Sequence, residues 1–483
     1  MMKKSVWRKN HKWAGLILAL FLIFACISGL VLNHRHAYAN VNVSRVWLPS
    51  SYHFNDWNNG MLRGSLRMDS AEYFLYGVAG IFRMSGDSVT MFNSGLPDGA
   101  DFRQIKSMAR VGDGKVFAAA QYGLYALDGE KWHEMPITLD KEERLTDAFA
   151  LGDTLMVMTR NRILCSLPPY DTFNQVDLKA PDGYDGRVSL FRVMWLVHSG
   201  EMFGLPGKIL IDIVSIAMIL ISITGIVLWA VPKYIRRHKG GTLPVQSLRI
   251  SHKVHNKVGV WGIALLLFVV VTGWMLRPPL LIPLVLNDMP GIEGTKISPS
   301  HPWRDKLRMI RYSNARNEWL ISTSDGFFAA DKDFSNPPSK IENAPQVSVM
   351  GVNVMEQVAD DEWLVGSFSG LYRWNRKLGA IVNWHTGERA SDKAGPPFGS
   401  HPVCGYANLD GTEIVVDYYK GTDLLDQPSE FRYLPMSMWN LALEVHTGRI
   451  YGIFGLAPLL WVFVLGAAAI WAIWSGWKCR SKN

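Results

Sequence analysis

Apolar residues in this chain fall into two regimes. Four runs, 13–33, 207–231, 257–276 and 450–477, are nearly continuous, and the core of each lacks charge except for Asp212. Each has about 20 residues or more, enough to carry a helix across roughly 30 Å of hydrocarbon. Between the runs the pattern changes. The inserts 34–197 and 278–445 alternate apolar and polar residues between turn signals, which is the period of strands. The predicted fold is a membrane α-helical four-helix bundle plus an all-β external domain built from the two inserts.

The predicted order is a cytoplasmic N-terminus and first span at 1–33, a β-rich insert at 34–187, and an interfacial helix with the second span at 188–232. A basic cytoplasmic loop at 233–256 leads to the third span at 257–277. A second β-rich insert at 278–435 precedes an interfacial helix, the fourth span and a basic tail at 436–483. The first run is preceded by Lys3-Lys4 and followed by Ala37-Tyr38-Ala39, features of a secretory signal. Its span-like length favours an uncleaved helix.

Both inserts repeat a short pattern, a glycine followed by two apolar residues. It occurs at Gly80-Ile81-Phe82, Gly123-Leu124-Tyr125, Gly326-Phe327-Phe328 and Gly370-Leu371-Tyr372. Arg162-Ile163-Leu164 is a degenerate copy, and Gly421 marks a sixth unit. Spacings of about 40–45 residues suit one four-stranded propeller blade. Three units per insert predict a composite six-bladed β-propeller, with a pair of sandwich-like lobes as the alternative. Trp57, Trp132, Trp303 and Trp384 either bind a ligand or, more commonly in such repeats, pack the core.

The helical runs repeat as well. His198 is followed by Gly204, Gly207 and Trp229, and His446 by Gly452, Gly455 and Trp477, at identical offsets. His11 precedes Gly15 by four residues and His255 precedes Gly259 by four, and apolar runs lead on to Ser28-Gly29 and Thr272-Gly273. The chain therefore reads as two copies of helix, insert, helix, with one histidine at each helix start.

Charge sets the orientation. Lys3, Lys4, Arg8, Lys9 and Lys12 precede the first run, and residues 231–257 carry many bases and no acid. Lys478, Arg480 and Lys482 follow the last run. Excess Lys and Arg mark the cytoplasmic side, so both inserts are predicted outside, as in a multi-pass protein of a bacterial inner membrane. The net charge of +8 follows from this topology and does not argue for nucleic acid. The four cysteines form no CxxC, which excludes a c-type haem attachment motif; Cys165 and Cys404, one in each insert, are free to form a disulfide in that compartment.

Histidine at the rim of a span is costly without a partner. His11 and His255 are predicted at the cytoplasmic face, and His198 and His446 at the external face. Zinc normally takes four ligands, and the spans offer no such set. A haem takes two axial ligands and has an apolar ring suited to a helix bundle. The residues thus predict two b-type haems, one held by His11 with His255 and one by His198 with His446. His252 is a substitute for His255. His34 is a substitute at the outer haem, and His34 and His36 are candidate substrate contacts. Gly15, Gly259, Gly204, Gly207, Gly452 and Gly455 either make room for the macrocycle or pack helices closely.

These motifs, His11-Lys12-Trp13-Ala14-Gly15, His198-Ser199-Gly200 with Thr224-Gly225, His255-Asn256-Lys257-Val258-Gly259 and His446-Thr447-Gly448, resemble the PepSY-associated transmembrane helix family. The family includes bacterial inner-membrane ferric-siderophore reductases, and the resemblance implies haem b bound through these histidines. The inserts depart from the family, with blade-like repeats in place of a PepSY domain. The resemblance therefore implies a haem-dependent ferric reductase. It would take electrons from quinol or a cytoplasmic donor and pass them to an external ferric siderophore or other iron chelate. No dinucleotide fingerprint is present to supply a built-in nicotinamide domain. The alternatives are a membrane-anchored propeller that binds or senses without redox activity, and a haem or metal transporter.

Overall fold

The computed structural model describes residues 3–238, 242–348, 350–390, 399–454 and 457–479. They divide into a helical unit, Met1–Arg35, Asp185–His301 and Trp439–Asn483, and a β unit, His36–Tyr184 and Pro302–Met438.

The helical unit contains α1 (Lys4–Asn33), α2 (Leu190–Ser199), α3 (Gly204–Arg237), α4 (Thr242–Trp261), α5 (Ile263–Met275), α6 (Leu281–Val285), α7 (Met438–Thr447) and α8 (Ala457–Cys479). Among the described residues, three helices are long and apolar enough to cross a membrane; α4 with α5 makes a fourth if that bent pair is one span. The chain is a membrane protein whose large apolar side chains face outward. Ile17, Leu20, Phe24 and Ile27 on α1 are exposed, as are Ile209, Ile213, Ile216 and Ile223 on α3. Small and hydroxylated residues lie inside: Ser28, Ser215, Ser222, Thr224, Thr272 and Ser475 are buried. In lipid this arrangement is favourable, because tight helix contact depends on small side chains and hydroxyls find acceptors on their own helix. Leu18, Leu465, Ala469 and Ala472 pack α1 against α8. Val214, Met218 and Leu266 pack α3 against α5.

Two expectations for the helices are corrected. The apolar run 257–277 is not one straight helix: α4 and α5 meet at 70° across Gly262. The 13 residues of α5 rise only about 20 Å, short of a full span. His198 and His446 do not begin the spans. They sit in the last turns of the short helices α2 and α7. Each of these helices is followed by a glycine with positive φ, Gly200 at 76° and Gly448 at 79°, the left-handed geometry that ends a helix. The histidine-glycine motif is thus a helix terminus.

The β unit is built from antiparallel sheets. Among the described residues, five have four strands. The first runs Gly64–Arg67, Glu72–Gly77, Gly80–Ser85, Ser88–Met91 and the second Ile105–Arg110, Val116–Ala120, Leu124–Asp128, Lys131–Glu134. The third begins at Leu145–Leu151, the fourth at Leu307–Ser313 and the fifth at Val354–Ala359; Val403–Leu409 and Thr412–Asp417 pair as the sixth. The repeated glycine pattern starts the third strand of its sheet. Gly80, Gly326 and Gly370 each follow a two-residue loop at φ of 118°, 117° and 137°, a conformation that disfavours side chains.

Apolar cores lie between successive sheets. Phe74, Ile81 and Trp132 join the first two, and Phe117, Ala148 and Leu155 the next pair. Met158, Ile310 and Ile321 join the third and fourth sheets. Leu320, Met355 and Trp363 join the fourth and fifth, and Leu364 and Val403 the fifth and sixth. Leu75 and Phe82 pack with Ala407 and Ile414, bringing the sixth against the first. Polar ties run alongside: Asp147 accepts from Ile310 N at 2.8 Å and Arg311 Nη1 at 2.7 Å, and Tyr73 donates to Asp410 at 2.7 Å. Trp57, Trp132 and Trp303 are buried in these cores and Trp384 packs on one, so they serve packing. Cys165 and Cys404 are free thiols.

Candidate functional site

Four histidines of the helical unit form two facing pairs. The rings of His11 and His255 have centroids 6.0 Å apart and planes at 63°. Those of His198 and His446 are 6.2 Å apart at 45°. An imidazole–metal bond is about 2 Å, and the ring centre lies about 1 Å behind the ligating nitrogen. Two imidazoles on opposite sides of one metal ion therefore have centroids about 6 Å apart.

Each ring is fixed through Nδ1 by a different helix. His11 donates to Ala472 O of α8 at 2.9 Å, and His255 to Ile221 O of α3 at 3.1 Å with Thr224 Oγ1 also at 3.1 Å. His446 donates to Ala25 O of α1 at 2.9 Å, beside Ser28 Oγ at 3.2 Å. His198 Nδ1 lies 3.1 Å from Thr272 Oγ1 of α5. A proton held on Nδ1 leaves the Nε2 lone pair free, the tautomer a metal-binding histidine requires. Among the described residues, no Nε2 of the four makes a hydrogen bond.

Each ring also rests on a glycine of the helix that fixes it. A Cβ added at Gly29 would lie 3.3 Å from His446 Cε1, and at Gly225 3.4 Å from His255 Cε1. At Gly273 it would lie 2.7 Å from His198 Cε1, and at Gly476 2.8 Å from His11 Cε1. A hydroxyl residue precedes the glycine every time: Ser28, Thr224, Thr272 and Ser475. The helix α1 supplies both His11 and the acceptor Ala25, so the two pairs stand about 21 Å apart along its axis.

The remaining candidates fall elsewhere. His252 turns to Asn256, with ring nitrogens 3.3 and 3.4 Å from its amide, and joins neither pair. His34 is a correction: its Nε2 is bound to Asp212 Oδ2 at 2.7 Å, so it is not available to the His198–His446 pair. His36 lies in the β unit, edge-on to Phe102 and Tyr122. Gly15 and Gly259 have open space where a Cβ would be, one turn from His11 and His255. Gly204 is likewise open. Gly207 meets the carbonyl of Gly200, so its smallness serves chain packing. Gly452 falls in the short 3-10 segment Arg449–Phe454, and Gly455 lies outside the described residues.

Ser475-Gly476 escapes the sequence repeat. His198 and His446 are 248 positions apart, so the repeat places the counterpart of Thr224 at Ala472, three residues before Ser475. A search for a hydroxyl residue followed by glycine near the end of every span would find it. The backbone acceptors Ala25, Ile221 and Ala472 leave no mark on side-chain type.

No curated protein matches the chain. Among solved structures, it is similar to the extracellular domain of a hybrid two component system from B. thetaiotaomicron, at 10% identity and a TM-score of 0.36, over 75% of this chain and 32% of that one. A second such domain from that organism matches at 10% and 0.35, over 76% and 39%. A dihydro-heme d1 dehydrogenase matches at 6% and 0.31, over 75% and 56%. The chain thus spans less than two thirds of each, and likenesses this weak carry no argument about what it does. The family model described as the PepSY-associated TM region matches residues 2–231, from α1 through most of α3, and identifies that stretch as a PepSY-associated TM region.

Proposed function

We propose that the helical unit is a di-haem b electron-transfer module of a bacterial inner membrane, serving reduction of an external ferric complex such as a ferric siderophore. The observation that carries this reading is the pair of facing histidine couples, ring centres 6.0 and 6.2 Å apart, each Nδ1 anchored and each Nε2 free. His11 and His255 would hold the cytoplasmic haem, and His198 and His446 the outer one. Bound there, haem supplies reversible one-electron carriage. The chain's own residues do the rest. Carbonyls of Ala25, Ile221 and Ala472 fix the ring tautomers, and the four glycines let each ring lie against its supporting helix. The lipid-facing apolar side chains exclude water.

The predicted basic loop 233–256 is largely helical, with its bases on the end of α3 and on α4; these bases and the basic termini argue for α2 and α7 at the external face. The β unit then lies outside. The six sheets described above, with a core at each junction including sixth against first, support one propeller divided between the two inserts. Electrons would come from quinol or a cytoplasmic donor. The acceptor gains one electron per iron, Fe(III) to Fe(II), and its oxygen ligands then hold the metal less strongly.

The test is direct. The full chain is purified from haem-replete cells, reduced with dithionite freed of excess, and mixed anaerobically with a ferric siderophore. Reoxidation of a b-type spectrum with release of Fe(II) is expected. A colourless chain would contradict the reading and leave an anchored propeller that binds or senses.

A further inference from the structure

Resting on the di-haem reading, we infer that Arg277 is the anion anchor of the outer site and holds a propionate carboxylate of the haem bound by His198 and His446. Arg277 follows α5 by two residues and is half-buried. Its Nη2 donates to the backbone carbonyl of His446 at 3.1 Å, which ties it to one of the two ligand residues. That is its side chain's one hydrogen bond among the described residues, although a guanidinium has five N–H donors. It makes no ion pair with a described carboxylate. Arg277 acts electrostatically on His198 and His446, and Arg449 acts on Arg277, all of them basic groups. Glu444, on the same helix as His446, is paired with Arg449.

A half-buried cation beside basic groups and without a carboxylate of its own favours an anion. The pseudo-symmetry sets this residue apart from its counterpart. His11 and His255 differ by 244 positions, and the same step carries Asn33 to Arg277. Asn33 also reaches toward the short helix that carries the facing histidine, donating to Ser199 O at 3.2 Å and to Asp212 at 3.3 Å. One flank of the outer site therefore holds charges of both signs, Asp212 with His34 and the buried Lys208, whose Nζ donates to Asn33 O at 3.3 Å. The other presents an uncompensated guanidinium. A macrocycle whose carboxylates cluster on one edge would be oriented with that edge toward Arg277.

Arg–carboxylate recognition is a charge-assisted contact whose loss corresponds to about tenfold or more in affinity. The test uses the full chain from haem-limited cells, in a His11→Ala background where only the outer pair remains. It is reconstituted with haem b or with haem b dimethyl ester, which lacks the carboxylate charges. The chain with Arg277 should prefer haem b by about tenfold or more. Arg277→Gln should abolish the preference and Arg277→Lys should retain part of it. Arg277→Gln in a chain with all four histidines should keep its inner haem, which reports a folded helical unit. Equal binding of haem and diester with Arg277 present, or an unchanged preference in Arg277→Gln, overturns the assignment; the latter would leave a lipid phosphate as the anion. No haem in the His11→Ala background would instead overturn the outer histidine pair itself, and Arg277 with it.

Discussion

The inner pair stands on long helices and the outer pair on short ones. His11 and His255 project from α1 and α4, away from the helix ends, whereas His198 and His446 occupy the last turns of α2 and α7, each ten residues long. Ring spacing is nonetheless the same within a few tenths of an ångström. The common element is the support, a neighbouring helix offering a hydroxyl residue, a glycine and a hydrogen-bond partner for Nδ1. What differs is charge, since Arg277 stands by the outer pair. Support geometry therefore sets the spacing, while the carrier helix is free to vary. The outer ends of that arrangement depend on helix termination at Gly200 and Gly448.

The largest effect should come from the ligand residues. His198→Ala or His446→Ala should remove about half of the bound haem and leave the inner half, and His11→Ala or His255→Ala should do the converse. Haem counting on purified chains checks it; loss of both haems from every single variant would break the independence of the pairs. His252→Ala and His34→Ala should leave haem content unchanged. A smaller effect should follow from the supporting glycines. Gly273→Ala places a methyl 2.7 Å from His198 Cε1, and Gly476→Ala one 2.8 Å from His11 Cε1. Overpacking of this kind costs about 1–3 kcal/mol. Each should weaken haem retention and shift the midpoint potential at its own pair only, read by redox titration.

The β unit provides the contrast, because it holds ion pairs such as Arg162 with Glu143, whose loss should not touch haem content. Burial alone would raise the carboxyl of Glu143, but hydrogen bonds from Arg162 prevail and hold it below the usual carboxylate range. A depressed folded value means stability that is present above about pH 4 and lost as pH falls through that lower value. Glu143→Gln should therefore lower the β unit's melting temperature at pH 7 and flatten its acid dependence, leaving the b-type spectrum unchanged. The smallest effect concerns Cys404. Burial pushes its thiol up to about 12, so it should resist maleimide in the native protein and react after denaturation.

Much of this is legible in the sequence, for physical reasons. Identical offsets after His198 and His446, and after His11 and His255, locate all four rings that meet. Turn chemistry locates the sheets, because Gly80, Gly326 and Gly370 occupy a backbone conformation that favours glycine. Other features leave weaker traces. The bend at Gly262 lies inside a continuous apolar run, so hydropathy alone reads through it. Gly200 and Gly448 read as part of span beginnings, since apolar residues continue past them, while their positive φ ends the preceding helix. The engagement of His34 by Asp212 joins residues 178 positions apart, beyond any local pattern.

The most direct measurement is the dithionite-reduced minus oxidised spectrum of the purified full chain, with haem counted per polypeptide. A b-type spectrum at two haems per chain is expected, falling to one when any of His11, His198, His255 or His446 is replaced by alanine. A chain without haem from haem-replete cells, or full haem content in the alanine variants, would contradict it.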